Sequence, residues 1–265
     1  MDAAGENYAK SDFADVSTNT ISAQRRTGAD QRIAVLGLGN FGTALASNWS
    51  AQGMPLSGWT VEQEVFDSIS SSSINEKYLA GVELPSLEVS MDLAATVADA
   101  DLIVLAVPSA FVLGVVDDLI SHLRPNQILL DVAKGLGPDD CLLSTAITER
   151  LRKAKRSNSV AVMVGPTIAP ELAGGVHTTA LVAGEDSAAV ATLAERLSTP
   201  SLHLRVGSDP VGAELWGAFK NVIALMCGVA DGVEGGGDNL KAALFAEGYA
   251  EGAALLQVFG DNAAT

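Results

Sequence analysis

The stretch Ile33-Ala-Val-Leu-Gly-Leu-Gly-Asn-Phe-Gly42 constrains this chain more than any other, because it runs an apolar strand into a glycine turn and then into an alanine-rich helix. In that order the glycines have separate tasks. Gly37 makes the tight turn, Gly39 lets backbone approach a pyrophosphate, and Gly42 brings helix against strand. A pyrophosphate so placed sits on the helix N-terminus, where free amides and the helix dipole favour an anion. The turn therefore predicts nucleotide binding, with a purely structural turn as the alternative. The same fingerprint expects an acid about 20 positions on, at the end of the second strand, to hold a ribose hydroxyl. There the chain reads Leu56-Ser-Gly-Trp-Thr-Val-Glu62, with no acid at the strand end itself and Glu62 several residues late. No arginine stands there for a 2′-phosphate, so NAD and NADP both stay open.

From Arg32 onward, short apolar strands alternate with amphipathic helices. Strands are predicted at 32–37, 54–59, 101–106, 127–131, 160–164, 178–184 and 202–206, and helices at 40–52, 61–71, 110–121, 140–153, 167–174 and 187–197. Such alternation with short connections means an α/β fold, a doubly wound Rossmann-type parallel sheet. After Ser208 the strand signal stops, and 210–233 and 238–259 read as two long helices rich in Ala and Gly. The predicted organisation is an N-terminal arm at 1–30, a dinucleotide-binding domain at 31–207 and an incomplete all-α substrate domain at 208–265. The arm is polar, without periodicity, and reads as disordered. Its acids, Asp2, Glu6, Asp12, Asp15 and Asp30, argue against a transit peptide.

Composition narrows the partners. With a net charge of −16, the chain repels nucleic acid and anionic membrane, so neither is expected as a partner. An anionic metabolite would have to be held by local devices such as helix N-termini, glycine turns and a few placed lysines. Apolar runs are read as too short for a membrane span. The two cysteines, Cys141 and Cys227, show no paired or metal-binding spacing and read as packing residues in a reduced, cytoplasmic setting, with a plastid or other organelle as the alternative. His122, His177 and His203 lack ligand spacing, so no metal site is expected. The Ser70–Ser73 run reads as a loop or a frayed helix end.

Three further segments face the same sheet edge. Val104-Leu-Ala-Val-Pro-Ser109 and Asp131-Val-Ala-Lys-Gly-Leu136 each end a predicted strand, and Gly165-Pro-Thr-Ile-Ala-Pro-Glu171 follows a third. Ligands of open α/β sheets bind beyond the carboxyl ends of the strands, which puts Ser109 and Lys134 where cofactor and substrate would meet, with a solvated loop lysine as the more common reading of Lys134 taken alone. Thr167 either caps a helix or reaches a ligand. Lys220, in Gly217-Ala-Phe-Lys-Asn221, lies within an otherwise apolar helical run. A buried ammonium is costly unless answered, and burial moves a lysine toward neutrality, where it serves as an acid or base. A lysine that merely reaches solvent is the bland alternative.

These motifs, in this order, resemble those of NAD(P)-dependent glycerol-3-phosphate dehydrogenase. The matching pieces are Gly37–Ala46, Lys77–Pro85, Val107–Ser109, Ala133–Leu136, Gly165–Ala169, Glu214–Asn221 and Asp231–Asn239. The resemblance implies interconversion of dihydroxyacetone phosphate and sn-glycerol 3-phosphate with NAD or NADP, feeding glycerophospholipid synthesis. It implies Lys220 as general acid/base, Lys134, Gly165, Thr167 and Asn221 on a small phosphorylated substrate, and Gly37, Gly39, Asn40, Phe41, Gly42, Ser109, Lys134 and Ala169 on the dinucleotide.

Two departures from the family pattern stand out. The resemblance implies further helices past Thr265, carrying a clamp for the substrate phosphate. Glu247 stands where the family usually has arginine. Without those helices an exposed apolar face is expected, which leaves a homodimer open. A nucleotide-binding module without turnover, or a reductase of another small keto or imine substrate, are the alternative functions.

Overall fold

The computed structural model describes residues 31–137 and 141–259; the expected arm at 1–30 lies outside them. Eight strands form one sheet: β1 (Arg32–Leu36), β2 (Leu56–Trp59), β3 (Leu87–Ser90), β4 (Ala100–Leu105), β5 (Ile128–Asp131), β6 (Val160–Val164), β7 (Thr178–Gly184) and β8 (Leu202–Gly207). Their order is β3-β2-β1-β4-β5-β6-β7-β8. Between them run α1 (Asn40–Ser50), α2 (Gln63–Ser72), α3 (Leu93–Val97), α4 (Ser109–Leu119), α5 (Leu143–Lys153), α6 (Ala169–Ala173) and α7 (Ser187–Leu197). Two long helices follow, α8 (Pro210–Gly232) and α9 (Asp238–Phe259).

The doubly wound reading rests on which side chains face which layer. Side chains alternate across a strand, so Ile33 and Val35 point to one face and Ala34 and Leu36 to the other. The first pair packs with Leu45 and Trp49 of α1. The second packs with Val112, Val116 and Leu119 of α4 and with Ile147 and Leu151 of α5. Both faces are covered, so these strands are apolar throughout rather than alternating, as parallel sheets require.

One strand junction differs from an all-parallel sheet. β6 and β7 are antiparallel, whereas β7 and β8 are parallel to each other. The reason is the link. α6 has five residues, about 7 Å of helix, too short to carry the chain back along a strand of five residues. The chain therefore re-enters the sheet from the edge it left. The sequence pattern also missed β3 and α3. β3 is a four-residue edge strand with no fully buried side chain, and α3 is five residues capped by Asp92, whose carboxylate accepts from the Ala95 amide at 3.1 Å. The serine run closes α2, with Ser73 in the left-handed region as its C-cap.

α8 starts on Pro210, with the Asp209 carboxylate accepting from the Gly212 amide at 2.8 Å. It lies on β6 and β7 and pairs with α9. Glycines set that approach: a Cβ on Gly252 would fall 2.6 Å from the Trp216 ring, and one on Gly248 would fall 2.7 Å from Ile223. Trp216 in turn stacks on Tyr249 at 5.4 Å between ring centroids. By length and composition, α8 is long and apolar enough to cross a membrane, which corrects the expectation that every apolar run is too short. Here it packs on a sheet and carries Glu214, Lys220 and Asp231. An apolar face is exposed on this helical pair, with Leu225 at 72% and Phe245 at 61% of full exposure, and Glu247 is exposed as well.

Candidate active site

The glycine turn joins β1 to α1 as its spacing requires. Gly37 has a positive φ of 102°, and its amide donates to the Trp59 carbonyl at 3.0 Å. A Cβ on Gly42 would lie 1.9 Å from the Gly37 oxygen, so no larger residue lets α1 start this close to β1. Gly39 is the opposite case, with nothing within 4 Å of a Cβ built there. Its outer side is open for a ligand. α1 has no side-chain cap and no acid in its first turn, so its first amides and dipole face that space uncompensated. These features would fit the pyrophosphate of a dinucleotide: Gly37, Gly39 and Gly42 shape an open turn, Asn40 lies exposed at its rim, and Phe41 lines the cleft at the strand ends.

Lys134 follows β5. The buried Asp131 shapes this turn by accepting from the Ala133 amide at 2.9 Å. Gly135, with φ of 149°, sits so close to α4 that a Cβ would fall 2.7 Å from Ser109 Oγ. Ser109 thus abuts the lysine turn, and the Lys134 ammonium lies 5.7 Å from the centre of the Phe41 ring, within cation–π range. That contact bridges the glycine turn and the β5 turn.

The opposite wall comes from β6 and α8. A Cβ on Gly217 would fall 2.9 Å from a Val164 methyl, so glycine there lets α8 settle onto β6. One turn later, Lys220 reaches the strand end and donates to the Gly165 carbonyl. Gly165 is fixed as glycine too, since a Cβ would lie 2.8 Å from backbone atoms of Thr179 and Ala180. Burial lowers the Lys220 pKa from its ordinary value to about 8, and the nearby positive charge of Lys134 acts in the same direction.

Phe41, Lys134, Gly165, Thr167 and Lys220 therefore line one narrow cleft. It adjoins a broader one of about 940 Å³, which shares Gly165 and Lys220 and extends between β8 and the two long helices. Ala169 opens α6 and packs against the same core cluster as Phe41. Asn221 is exposed on α8 and does not line the narrow cleft.

Sequence reasoning passed over Glu214 and Asp131 as individual residues. Glu214, buried in the cleft floor, accepts from the amides of Leu143 at 2.6 Å and Ser144 at 3.1 Å, and from the Ser144 hydroxyl. A carboxylate on α8 thus caps α5 and ties the helical pair to the sheet. Asp131 is only 3% exposed. Its burial, with the Glu214 carboxylate adding to it, raises its pKa to about 7 against the opposing Ala133 hydrogen bond. Nothing in a strand-end aspartate marks it as buried. His177 and His203, distant in sequence, bring their rings to 4.5 Å. Among the described residues no group of His, Cys, Asp or Glu has the geometry of a metal site.

The comparisons with known proteins agree with this geometry. The family model described as the NAD-dependent glycerol-3-phosphate dehydrogenase N-terminus matches residues 32–190, and the corresponding C-terminus model matches residues 209–265. A glycerol-3-phosphate dehydrogenase (NAD(P)+) of Geobacter sulfurreducens is 32% identical over 222 residues, covering 83% of this chain and 66% of that protein. Another, from Lactobacillus delbrueckii subsp. bulgaricus, is 36% identical over 224 residues with the same coverage. The crystal structure of glycerol-3-phosphate dehydrogenase from Coxiella burnetii superposes with a TM-score of 0.81 at 30% identity, over 87% of this chain and 70% of that one. The chain thus spans about two thirds of the length of the relatives it matches. On the glycine turn, the two-lysine cleft and these matches together, the chain belongs to the NAD-dependent glycerol-3-phosphate dehydrogenase family.

Proposed function

We propose that this cleft serves the interconversion of dihydroxyacetone phosphate and sn-glycerol 3-phosphate. The observation that carries the reading is Lys220, half-buried with a pKa lowered to about 8, in one cleft with Lys134 and with Phe41 of the dinucleotide turn. A lysine near neutrality can both give and take a proton at working pH. When bound, NAD(P)(H) supplies or accepts the hydride at the carbinol carbon.

The residues divide the remaining work. Gly37, Gly39 and Gly42, with the first amides of α1, hold the pyrophosphate, and Asn40, Phe41, Ser109 and Ala169 border the dinucleotide. Lys134 supplies positive charge to an anionic substrate in a chain that is otherwise strongly acidic. Gly165 and Thr167 orient that substrate at the β6 edge, whereas Asn221, exposed on α8 and outside the narrow cleft, is left without that role. Lys220 Nζ protonates the oxygen of the nascent alkoxide during ketone reduction and takes the proton back during alcohol oxidation. The same reading divides the chain near residue 207, between the end of β8 and the start of α8, into dinucleotide-binding and substrate-binding parts.

The test follows the absorbance of NADH and NADPH with dihydroxyacetone phosphate. It uses this chain and a form extended by the C-terminal third of a relative. Substrate-dependent oxidation that Lys220→Ala abolishes, with nucleotide affinity kept, is the expected result. Nucleotide bound without turnover in either form would overturn the activity and leave a binding module.

A further inference from the structure

At the end of β2 a cluster of charged side chains lies beside the glycine turn, and the chemistry above does not use it. The β2 end is next to the turn: Leu36 pairs with Trp59, and the Gly37 amide donates to the Trp59 carbonyl at 3.0 Å. Three residues on, Glu62 precedes α2. Its Oε2 accepts from Lys77 Nζ at 2.6 Å and its Oε1 from the Tyr78 hydroxyl at 2.8 Å. Lys77 also pairs with Glu64. The segment carrying Lys77 and Tyr78 is itself tied to the turn, because the buried Asn75 donates to the Leu38 carbonyl and to Thr43 Oγ1, each at 2.8 Å. Glu62 is thus held beside the dinucleotide turn from two directions, by its own strand and by the 75–78 segment.

We propose that Glu62 selects NAD(H) over NADP(H) by accepting from the ribose 2′-hydroxyl and repelling a 2′-phosphate. The proposal rests on the dinucleotide reading above and names the cofactor within it. Each oxygen of an ionised carboxylate has two acceptor sites, and Glu62 has one oxygen engaged by Lys77 and the other by Tyr78. A site on each stays free for a hydroxyl. The Lys77 and Tyr78 hydrogen bonds also lower the Glu62 pKa, so the group stays ionised at neutral pH. Lys77 is the one cation in the cluster, and two carboxylates already occupy it. Glu62, Glu64 and Lys77 together leave a surplus negative charge. The segment Trp59-Thr-Val-Glu-Gln-Glu64 adds no lysine or arginine to receive a phosphate dianion. Glu62 therefore takes the role that an acid at the strand end has in the ordinary fingerprint, displaced by three residues and returned to place by Lys77 and Tyr78.

The experiment titrates the full chain separately with NADH and NADPH. Binding is read by calorimetry and by quenching of tryptophan fluorescence, neither of which needs turnover. NADH is expected to bind at least about tenfold more tightly, equivalent to about 1.4 kcal/mol. Glu62→Gln, which keeps an acceptor and removes the charge, should narrow that ratio chiefly by improving NADPH binding. Tyr78→Phe should weaken NADH and leave NADPH nearly unchanged. Equal or tighter binding of NADPH by the wild-type chain, or an unaltered ratio in Glu62→Gln, would overturn the proposal. Failure of both nucleotides to bind the folded wild-type chain would instead overturn the dinucleotide reading, and the proposal with it.

Discussion

Lys220 and Lys134 approach the same cleft from opposite walls, one from α8 and one from the turn after β5, and the charge of Lys134 helps to keep Lys220 below the ordinary lysine range. Two ammonium groups sharing a cleft repel, and the side chain with less solvent gives way. Burial is nonetheless the larger cause for Lys220.

The pH behaviour follows from that pair. With Lys220 as the proton donor and acceptor proposed above, ketone reduction should slow as pH rises through about 8, and alcohol oxidation should speed up through the same value. Lys134→Gln removes the repelling charge, so Lys220 should titrate at higher pH in that variant. The rate of Lys220 acylation against pH, followed by peptide mass spectrometry, reads the midpoint without needing turnover. An unmoved midpoint in Lys134→Gln would remove Lys134 from this role.

Gly39 and Gly42 should respond oppositely to the same added methyl. A Cβ at Gly39 meets no atom within 4 Å, whereas one at Gly42 falls 1.9 Å from the Gly37 oxygen. Gly39→Ala should therefore keep its thermal midpoint and lose dinucleotide affinity, because the methyl enters the space for the pyrophosphate. Gly42→Ala should destabilise the domain itself, by about 1–3 kcal/mol or more as overpacking against backbone. Urea denaturation and nucleotide titration on both variants separate the two effects. Equal stability losses would mean that Gly39 is packed rather than open.

Much of this was legible in the sequence because it depends on local rules. The glycine turn announces itself by a strand before it and a helix after it, and Lys220 stands out as a charge in an apolar run. Phe41, Lys134, Gly165, Thr167 and Lys220 do converge on one cleft, although they come from four separate segments. What stayed hidden depends on tertiary context. β3 is too short and too exposed to carry an apolar pattern, and the reversal at β7 follows from the length of α6 rather than from any residue in β7. Asp131 reads as a turn residue until the fold buries it. Glu62 reads as late for its task until Lys77 and Tyr78 are seen to hold it.

Glu214 links the two long helices to the sheet, and its removal should show as a stability loss. Its carboxylate accepts from the Leu143 and Ser144 amides and the Ser144 hydroxyl in a buried setting. Glu214→Ala leaves those donors without a partner, at a cost of roughly 2–3 kcal/mol. Glu214→Gln keeps an acceptor but loses the charge facing the α5 N-terminus, so it should cost less, about 1 kcal/mol. Urea midpoints for the two variants give the order. Identical losses would show that charge alone, not the hydrogen-bond geometry, makes the link.

Asp131 should make stability depend on pH in a direction opposite to that of most carboxylates. Its pKa in the folded chain is raised to about 7, chiefly by burial, so between the ordinary carboxylate range and pH 7 the folded state binds more proton than the unfolded one. The contribution is fully present below the ordinary carboxylate range and is lost as pH rises through about 7, where an ionised Asp131 must stay buried. Asp131→Asn carries no such charge and keeps an oxygen to accept from the Ala133 amide. The variant should therefore gain on the wild-type chain between pH 5 and pH 8, by about 3 kcal/mol at linkage of 1.36 kcal/mol per pH unit over the span from pH 5 to about 7. Urea denaturation of both proteins at the two pH values gives the difference, with the titration of other groups cancelling between them. A gap that stays constant across that range would mean that Asp131 is ionised throughout, and that its neighbours solvate the charge despite its burial.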